Sequence, residues 1–114
     1  LTVYADNGQV HAYGGFFQSS DERLKTFYDP IKVDLDKLHT LRKNYFKFND
    51  RDKLEIGVSA QEIQEIYPEI VSKDSQGHLT VAYDKLSVIA LKGIDELYDL
   101  ILDLIKRINY LENK

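Results

Sequence analysis

The chain has 114 residues, of which 43% are hydrophobic and 30% are charged, with a formal net charge of -4 at pH 7. This length and composition suit one compact soluble domain or part of a larger chain. The chain contains no cysteine, which excludes disulfides and thiolate chemistry. The acidic balance argues against nucleic acid and anionic membranes as partners, and no apolar run is long enough for a transmembrane helix. Because the sequence starts at Leu1 without a signal-peptide pattern, we interpret it as a piece of a longer protein.

A first hairpin is predicted around Asn7-Gly8, because a two-residue type I′ turn needs positive φ at both positions. Gly14-Gly15 then breaks the strand pattern, and we place a domain boundary between residues 19 and 20. The alternation of the hairpin puts Val3, Ala5, Val10 and Ala12 on one face and Tyr4, His11 and Tyr13 on the other.

From residue 20 onward, helical and extended patterns alternate. A short helix is expected to start at Ser20 and to end before Asp29-Pro30, since proline disfavours helix in the residue before it. A second helical stretch is indicated by the spacing of Leu35, Leu38 and Leu41.

Two further hairpins and a capped helix are predicted in the middle of the chain. Aromatic and β-branched residues indicate paired strands at 44–48 and 54–58. Ser59 and Glu62 have the spacing of a capping box for a helix that runs through Tyr67 and stops at Pro68. Strands at 70–71 and 79–81 would pair across a turn at Gln76-Gly77.

One long helix is predicted from Tyr83 to the end of the chain, where helix-forming residues dominate. Apolar residues there alternate spacings of three and four, with isoleucine at every a position and leucine at every d position, as in a coiled coil. The seam so defined consists of Ile94, Leu97, Ile101, Leu104, Ile108 and Leu111. Self-association through this seam is our interpretation; the alternative is an amphipathic helix packed inside a monomer, and the pattern does not fix the number of chains. The predicted fold class is therefore α+β and mainly helical, with a small globular head, short β-hairpins and a long C-terminal helix.

Ser20 and Lys25 are the candidate catalytic residues, because a lysine can activate a serine hydroxyl as a nucleophile. Residues five apart lie about 140° from each other around a helix and on opposite faces of a strand. A working pair therefore needs an irregular backbone, with Lys25 folding back from the first helical turn, or residues from two chains. The lysine must also lose its proton, which burial or a neighbouring cation such as Arg23 would favour and which Asp21 would oppose.

An alternative without chemistry is a helix start in which Ser19 and Glu22 form a capping box. Other catalytic or ligand-binding patterns are weak. His11, His39 and His78 have no metal-ligand spacing, so no metal site is predicted. No cofactor-binding motif is present either.

Several separated blocks together resemble the self-cleaving intramolecular chaperone domain at the C-terminus of phage tailspikes, tail fibres and neck appendages, the peptidase S74 or endosialidase-chaperone family. The resemblance covers nearly everything from residue 19 to the end. Its blocks are Ser20 to Lys25, Gly57 to Ile63, Pro68 to Val71, and Val81 to Leu86 leading into the terminal helix. Val58 and Ser59 replace bulkier residues that are common in the second block.

The resemblance implies that Ser20 is the nucleophile and Lys25 its general base, in an endopeptidase that acts once on its own chain. The cut would lie in the Ser20-Asp21 bond, although ring strain in the attack favours Ser19-Ser20. Arg23, Gln61 and Glu62 would support the site. Residues 1–19 would be the end of a β-rich fibre protein, and 20–114 the chaperone domain, with its coiled-coil part at about 83–114.

By the same resemblance, the partners would be two further copies in a homotrimer and the preceding fibre domain, with no nucleic acid, membrane, cofactor or metal. The domain would act in the host cytoplasm during assembly and leave the mature fibre in the virion. Two alternatives stay open: a trimerisation module that does not cleave, and the self-cleaving release domain of a membrane-tethered transcription factor.

Overall fold

The structure is a computed structural model that describes residues 4–6 and 9–114, with the side chains of 9–114. The chain divides into two compact units, Leu1–Pro30 and Ile31–Lys114. Each unit has its own hairpin or hairpins.

The first unit contains an antiparallel hairpin of β1 (Tyr4–Asp6) and β2 (Gln9–His11). Ala5 pairs with Val10, and Tyr4 with His11, which confirms the predicted register. The predicted turn at Asn7-Gly8 and the face position of Val3 lie outside the described residues.

The prediction of a helix that starts at Ser20 is wrong in the type and the length of the helix. Only one 3₁₀ turn forms, at Glu22–Leu24, and its N-cap is Asp21, whose side chain accepts from the N–H of Arg23. The alternative capping box of Ser19 and Glu22 is therefore also wrong. None of the residues in this turn is buried, and so short a helix is unstable in water without a packed face.

The second unit begins with α1 (Leu35–Thr40), which Asp34 caps by accepting from the N–H of Lys37. Next come β3 (Asn44–Phe46) and β4 (Glu55–Gly57), which pair antiparallel. This second hairpin is confirmed, although its strands are shorter than the sequence predicted.

The capped helix is confirmed as α2 (Ala60–Ile66), followed by a 3₁₀ turn at Pro68–Ile70. Ser59 Oγ accepts from the N–H of Glu62 at 3.4 Å, which is the first half of the predicted capping box. The second half is wrong: the Glu62 carboxylate accepts from the backbone N–H of Arg42 at 3.0 Å and also from its guanidinium. The cation of Arg42 thus competes successfully for this carboxylate.

The third hairpin is confirmed as β5 (Val71–Lys73) and β6 (Leu79–Val81). At its predicted turn, Gly77 has a φ of +84°, a left-handed conformation that favours glycine. Asp74 Oδ1 stabilises the same turn by accepting from the backbone N–H groups of Gln76 and His78, both at 2.9 Å.

The last element is α3 (Tyr83–Glu112), a helix of 30 residues that confirms the predicted C-terminal helix. Near its start, the Ala82 N–H donates to the Ile70 carbonyl at 2.9 Å. Ile89 and Gly93 are buried, whereas every residue from 97 to 112 is exposed. The first half of α3 therefore belongs to the core of the unit, and the second half runs free of it.

The core lies where α2, the third hairpin and the start of α3 meet. Ile63 is completely buried, and the Tyr67 hydroxyl donates to the Lys32 carbonyl at 3.0 Å. Burial raises the pKa of the Tyr67 phenol, and the charges of Glu69 and Asp34 add to this effect. The buried residues are Ile63, Tyr67, Ile70 and Ile89, with Leu38, Leu41, Val58, Ile66, Val71, Val81, Ala82 and Leu86 packed against them.

Candidate functional site

Ser20 and Lys25 are in direct contact in the first unit. Lys25 Nζ lies 2.6 Å from Ser20 Oγ, within hydrogen-bonding distance. The backbone is extended at Asp21 (φ -63°, ψ 124°), turns once through the 3₁₀ residues, and is extended again at Lys25 (φ -122°, ψ 152°). This irregular path brings the two side chains together within one chain, which a continuous helix or strand could not do.

Asp21 and Arg23 hold the turn between the two candidate residues. Arg23 Nη2 lies 2.7 Å from Asp21 Oδ2, and its Nε donates to Oδ1 at 3.1 Å. Hydrogen bonds from Arg23 lower the pKa of the Asp21 carboxyl, and the same carboxylate raises the pKa of Arg23. The acid next to Ser20 is thus neutralised by Arg23, while Lys25 contacts the serine.

The contact between Ser20 and Lys25 has the geometry that proton transfer requires. In this contact, the ammonium of Lys25 donates a hydrogen bond to the serine oxygen. Once the lysine has lost its proton, its nitrogen lone pair can accept the hydroxyl proton across the same distance. The arrangement can therefore activate Ser20 as a nucleophile after Lys25 becomes neutral.

Both candidate residues are exposed, and large apolar side chains near them in sequence are exposed as well. Phe16, Phe17 and Phe27 are 70%, 97% and 75% exposed, and Leu24 is 78% exposed. Exposed aromatic residues at this density are typical of a surface that another molecule covers. In the isolated unit, water therefore reaches the Ser20–Lys25 pair.

The two supporting residues predicted on α2 belong to the second unit. Gln61 is exposed and lines an open cavity of about 850 Å³ between the second and third hairpins. Glu62 is half-buried and bound to Arg42, whose backbone and side-chain hydrogen bonds lower the pKa of its carboxyl. The observed partner of Glu62 gives it a role in joining α2 to Arg42, the second residue after α1.

All six seam residues lie on an exposed face of α3. Their side chains are between 49% and 64% exposed, so the unit itself does not cover them. Leucine and isoleucine residues exposed in a continuous stripe favour a partner helix. These six residues are Ile94, Leu97, Ile101, Leu104, Ile108 and Leu111.

Sequence reasoning missed the role of Gly57, which lies under the side chains of Phe46 and Tyr83. The signal was available, because a glycine inside a strand pattern often marks a close approach of another group. The motif blocks therefore have different roles: Ser20 to Lys25 forms the polar contact described above, whereas Gly57 and Tyr83 organise the second unit.

No group of histidine or acidic side chains within residues 9–114 could hold a metal ion. None of the helices in the described part of the chain is long and apolar enough to cross a membrane.

Comparison with protein families gives a match to part of the chain. Residues 20–72, just under half of the chain, match the model of the peptidase S74 family, described as the chaperone of endosialidase. This match confirms the predicted resemblance for the blocks Ser20 to Lys25, Gly57 to Ile63 and Pro68 to Val71, and it supports a chaperone-type domain. The matched segment includes Ser20 and Lys25, whereas the free half of α3 lies outside it. A search of curated proteins found no match.

Proposed function

On the basis of the match to the chaperone-of-endosialidase family, we propose that this chain is an intramolecular chaperone that trimerises and registers a phage tail fibre, tailspike or appendage. It then releases itself by autoproteolysis at Ser20. The observation that carries this proposal is the 2.6 Å contact between Lys25 Nζ and Ser20 Oγ. On this proposal, the domain acts in the host cytoplasm during assembly, and the mature fibre stays in the virion.

Cleavage begins when neutral Lys25 takes the proton of the Ser20 hydroxyl and the oxygen attacks a peptide carbonyl. Attack on the preceding carbonyl passes through a five-membered ring and would transfer the acyl group from nitrogen to oxygen; water then hydrolyses the ester. Attack by Ser20 on its own carbonyl needs a strained four-membered ring. For the Ser20-Asp21 bond, which the family resemblance favours, the nucleophile would be water or the serine of another copy.

Assembly supplies the desolvation that an exposed lysine lacks. Water around Lys25 stabilises its ammonium form, whereas an apolar cover favours the neutral amine. Phe16, Phe17 and Phe27, which are near the pair in sequence, are exposed and supply apolar surface. Other copies that cover this surface would lower the proportion of charged lysine and start the reaction.

The free half of α3 supports the trimerisation step. Residues 97–112 are exposed and extend over about 24 Å of helix. An isolated helix of this length is only marginally stable in water, so burial of the seam in a coiled coil stabilises both the helix and the assembly. Joining three chain ends raises their effective concentration for the later pairing of fibre strands. Cleavage then leaves the fibre kinetically trapped.

The proposal is tested on the chain together with its preceding fibre sequence. Denaturing mass spectrometry should find two fragments for the wild type, and the mass of the first identifies the cleaved bond. The Ser20→Ala variant should stay intact yet have the native mass of a trimer. Ser19→Ala is the matched control and should still be cleaved.

Two outcomes contradict parts of the proposal. A wild-type chain that folds, assembles and stays intact indicates a trimerisation module without cleavage, in which the exposed Ser20 and Lys25 have no catalytic role. A monomeric or insoluble Ser20→Ala product would show that cleavage and assembly are not separable.

A further inference from the structure

Two charged side chains border the seam on the free half of α3. Arg107 precedes the a residue Ile108 and so occupies a g position, and Glu112 follows the d residue Leu111 at an e position. Arg107 is 72% exposed and lies 3.1 Å from Asp103 on its own helix. Glu112 is exposed and makes no ion pair within the described part of the chain.

Arg107 and Glu112 cannot pair within one helix. Residues five apart point about 140° away from each other around the axis, and charged pairs on a helix form at spacings of three or four. Any direct coupling between these two side chains therefore has to come from two copies of the chain.

The spacing fits a parallel arrangement. In a parallel, in-register coiled coil, a g residue of one helix meets the e residue that lies five positions later in the neighbouring helix. Arg107 would then meet Glu112 of the next copy, a pair of opposite charges. One heptad earlier, Leu100 would meet Ile105 of that copy, so apolar contact continues along the same border.

An antiparallel arrangement offers no such pair. There, g residues face g residues and e residues face e residues. The charged g positions from Ile94 to the end are Arg107 and Lys114, both basic, and the charged e position is Glu112. In no antiparallel register of this stretch do opposite charges meet at the border of the seam.

We propose that Arg107 and Glu112 fix the orientation of assembly, pairing between neighbouring copies so that the α3 helices associate parallel and in register. The inference rests on the proposed function for the existence of the assembly, and it goes beyond it in assigning the residues that select its geometry.

A double-mutant cycle on the whole chain tests the pair, with Arg107→Glu, Glu112→Lys and the two combined. Each single change places like charges together and should raise the concentration of half-dissociation about tenfold, measured by analytical ultracentrifugation. The combined variant restores opposite charges and should return close to the wild type. The cycle cancels effects of each change on its own helix, including that of a new cation near the helix C-terminus.

Lys106→Glu is the matched control, because it makes the same kind of charge change next to Arg107 but on the outer side of the helix. This variant should change the concentration of half-dissociation less than twofold. At about 1 M salt, where charges are screened beyond about 3 Å, the difference between single and combined variants should largely disappear. A Lys114→Cys variant gives a direct reading of orientation, because the chain has no other cysteine and parallel helices bring their ends together for disulfide cross-linking.

The outcomes separate this inference from the proposed function. Suppose that the wild type assembles, but that the effects of the two single changes are strictly additive or that the Arg107→Glu variant assembles more tightly than the wild type. Either result would overturn the parallel pair and leave the chaperone proposal standing. A wild type that remains monomeric at all concentrations would overturn the assembly itself, and with it this inference.

Discussion

The hydroxyl of Tyr83 accepts a hydrogen bond from the backbone N–H of Val58 at 3.0 Å and lies directly over Gly57. Gly57 is the last residue of β4, and Tyr83 is the first residue of α3. A Cβ atom at residue 57 would lie 2.5 Å from Tyr83 Oη and 2.8 Å from Cε1 of Phe46. The hairpin and the long helix therefore meet at this distance because residue 57 has no side chain.

Gly57→Ala is expected to destabilise the protein. The added methyl group must displace the rings of Phe46 and Tyr83 and weaken the hydrogen bond to Val58, a change of the overpacking kind that costs about 1–3 kcal/mol. Urea denaturation followed by circular dichroism measures the change in free energy of unfolding. An unchanged midpoint would show that the two rings move without cost.

Gly93→Ala is expected to have the opposite sign. Residue 93 is buried in α3, but an added Cβ would meet Leu38, Leu35 and Val33 at 3.7–4.0 Å, which is ordinary contact. Alanine is also preferred over glycine inside a helix by about 1 kcal/mol. The same denaturation experiment should show equal or higher stability than the wild type. A loss as large as that of Gly57→Ala would contradict the packing described around α1.

Ile63→Ala tests whether the core is centred on α2. Ile63 is completely buried, and truncating a buried isoleucine to alanine costs about 2–5 kcal/mol. Ile56→Ala is the matched control, because Ile56 is 76% exposed, and such surface changes usually stay within about 0.5 kcal/mol. Similar free energies of unfolding for the two variants would place the core elsewhere.

Glu62→Gln is expected to make the free energy of unfolding less dependent on pH in the acidic range. Hydrogen bonds from Arg42 lower the pKa of the Glu62 carboxyl in the folded state. Such a group stabilises the fold above its unfolded pKa, near 4.3, and loses this contribution as the pH falls through the folded pKa. The variant should therefore be less stable than the wild type at pH 7, and the difference should shrink below about pH 4.

The control for this pH series is Glu65→Gln, an exposed position on the same helix that makes no ion pair among the described residues. It should follow the wild type at every pH. A constant difference between Glu62→Gln and the wild type from pH 7 to pH 3 would mean that the charge of Glu62 is not what stabilises its contact with Arg42.

Under the proposed function, Arg23→Ala is expected to slow self-cleavage. Arg23 neutralises Asp21 through a bidentate ion pair, and its removal leaves an unpaired carboxylate four residues before Lys25. That negative charge would compete with the Ser20 hydroxyl for the side chain of Lys25 and weaken the contact that the proposed mechanism uses. The rate of fragment appearance measures the effect.

The control is Arg23→Lys, which keeps the positive charge and should preserve much of the rate. Equal rates for the alanine variant and the wild type would indicate that Asp21 does not influence the reaction.

Local patterns predicted much of this fold. The hairpins at 44–57 and 71–81 and the helix from Tyr83 follow from turn residues and apolar periodicity within short windows. The failures are places where a tertiary or local side-chain contact competes with the pattern. Glu62 binds Arg42, twenty residues away, rather than completing its capping box, and Asp21 caps a single 3₁₀ turn where a longer helix was expected.

The sequence pointed to Ser20 and Lys25 as candidate residues, but it did not predict the geometry of their contact. Periodic structure separates Ser20 from Lys25, so their contact at 2.6 Å depends on the backbone angles at Asp21 and on the ion pair between Asp21 and Arg23. No periodicity encodes either of these. The exposed seam of α3, by contrast, was predictable because its pattern repeats over three heptads.

The first half of α3 belongs to the core of its unit, and the second half carries most of the exposed seam. Folding of the unit and the proposed association of the chains are therefore linked equilibria. Ile89 and Gly93, in the first half of this helix, are buried in the core of their own unit, whereas the residues from 97 to 112 are exposed. Because the helix is continuous, the association proposed above would also favour the folded form of the half that completes the core. By mass action, thermal stability would then depend on protein concentration, and a dilute sample would unfold at a lower temperature than a concentrated one.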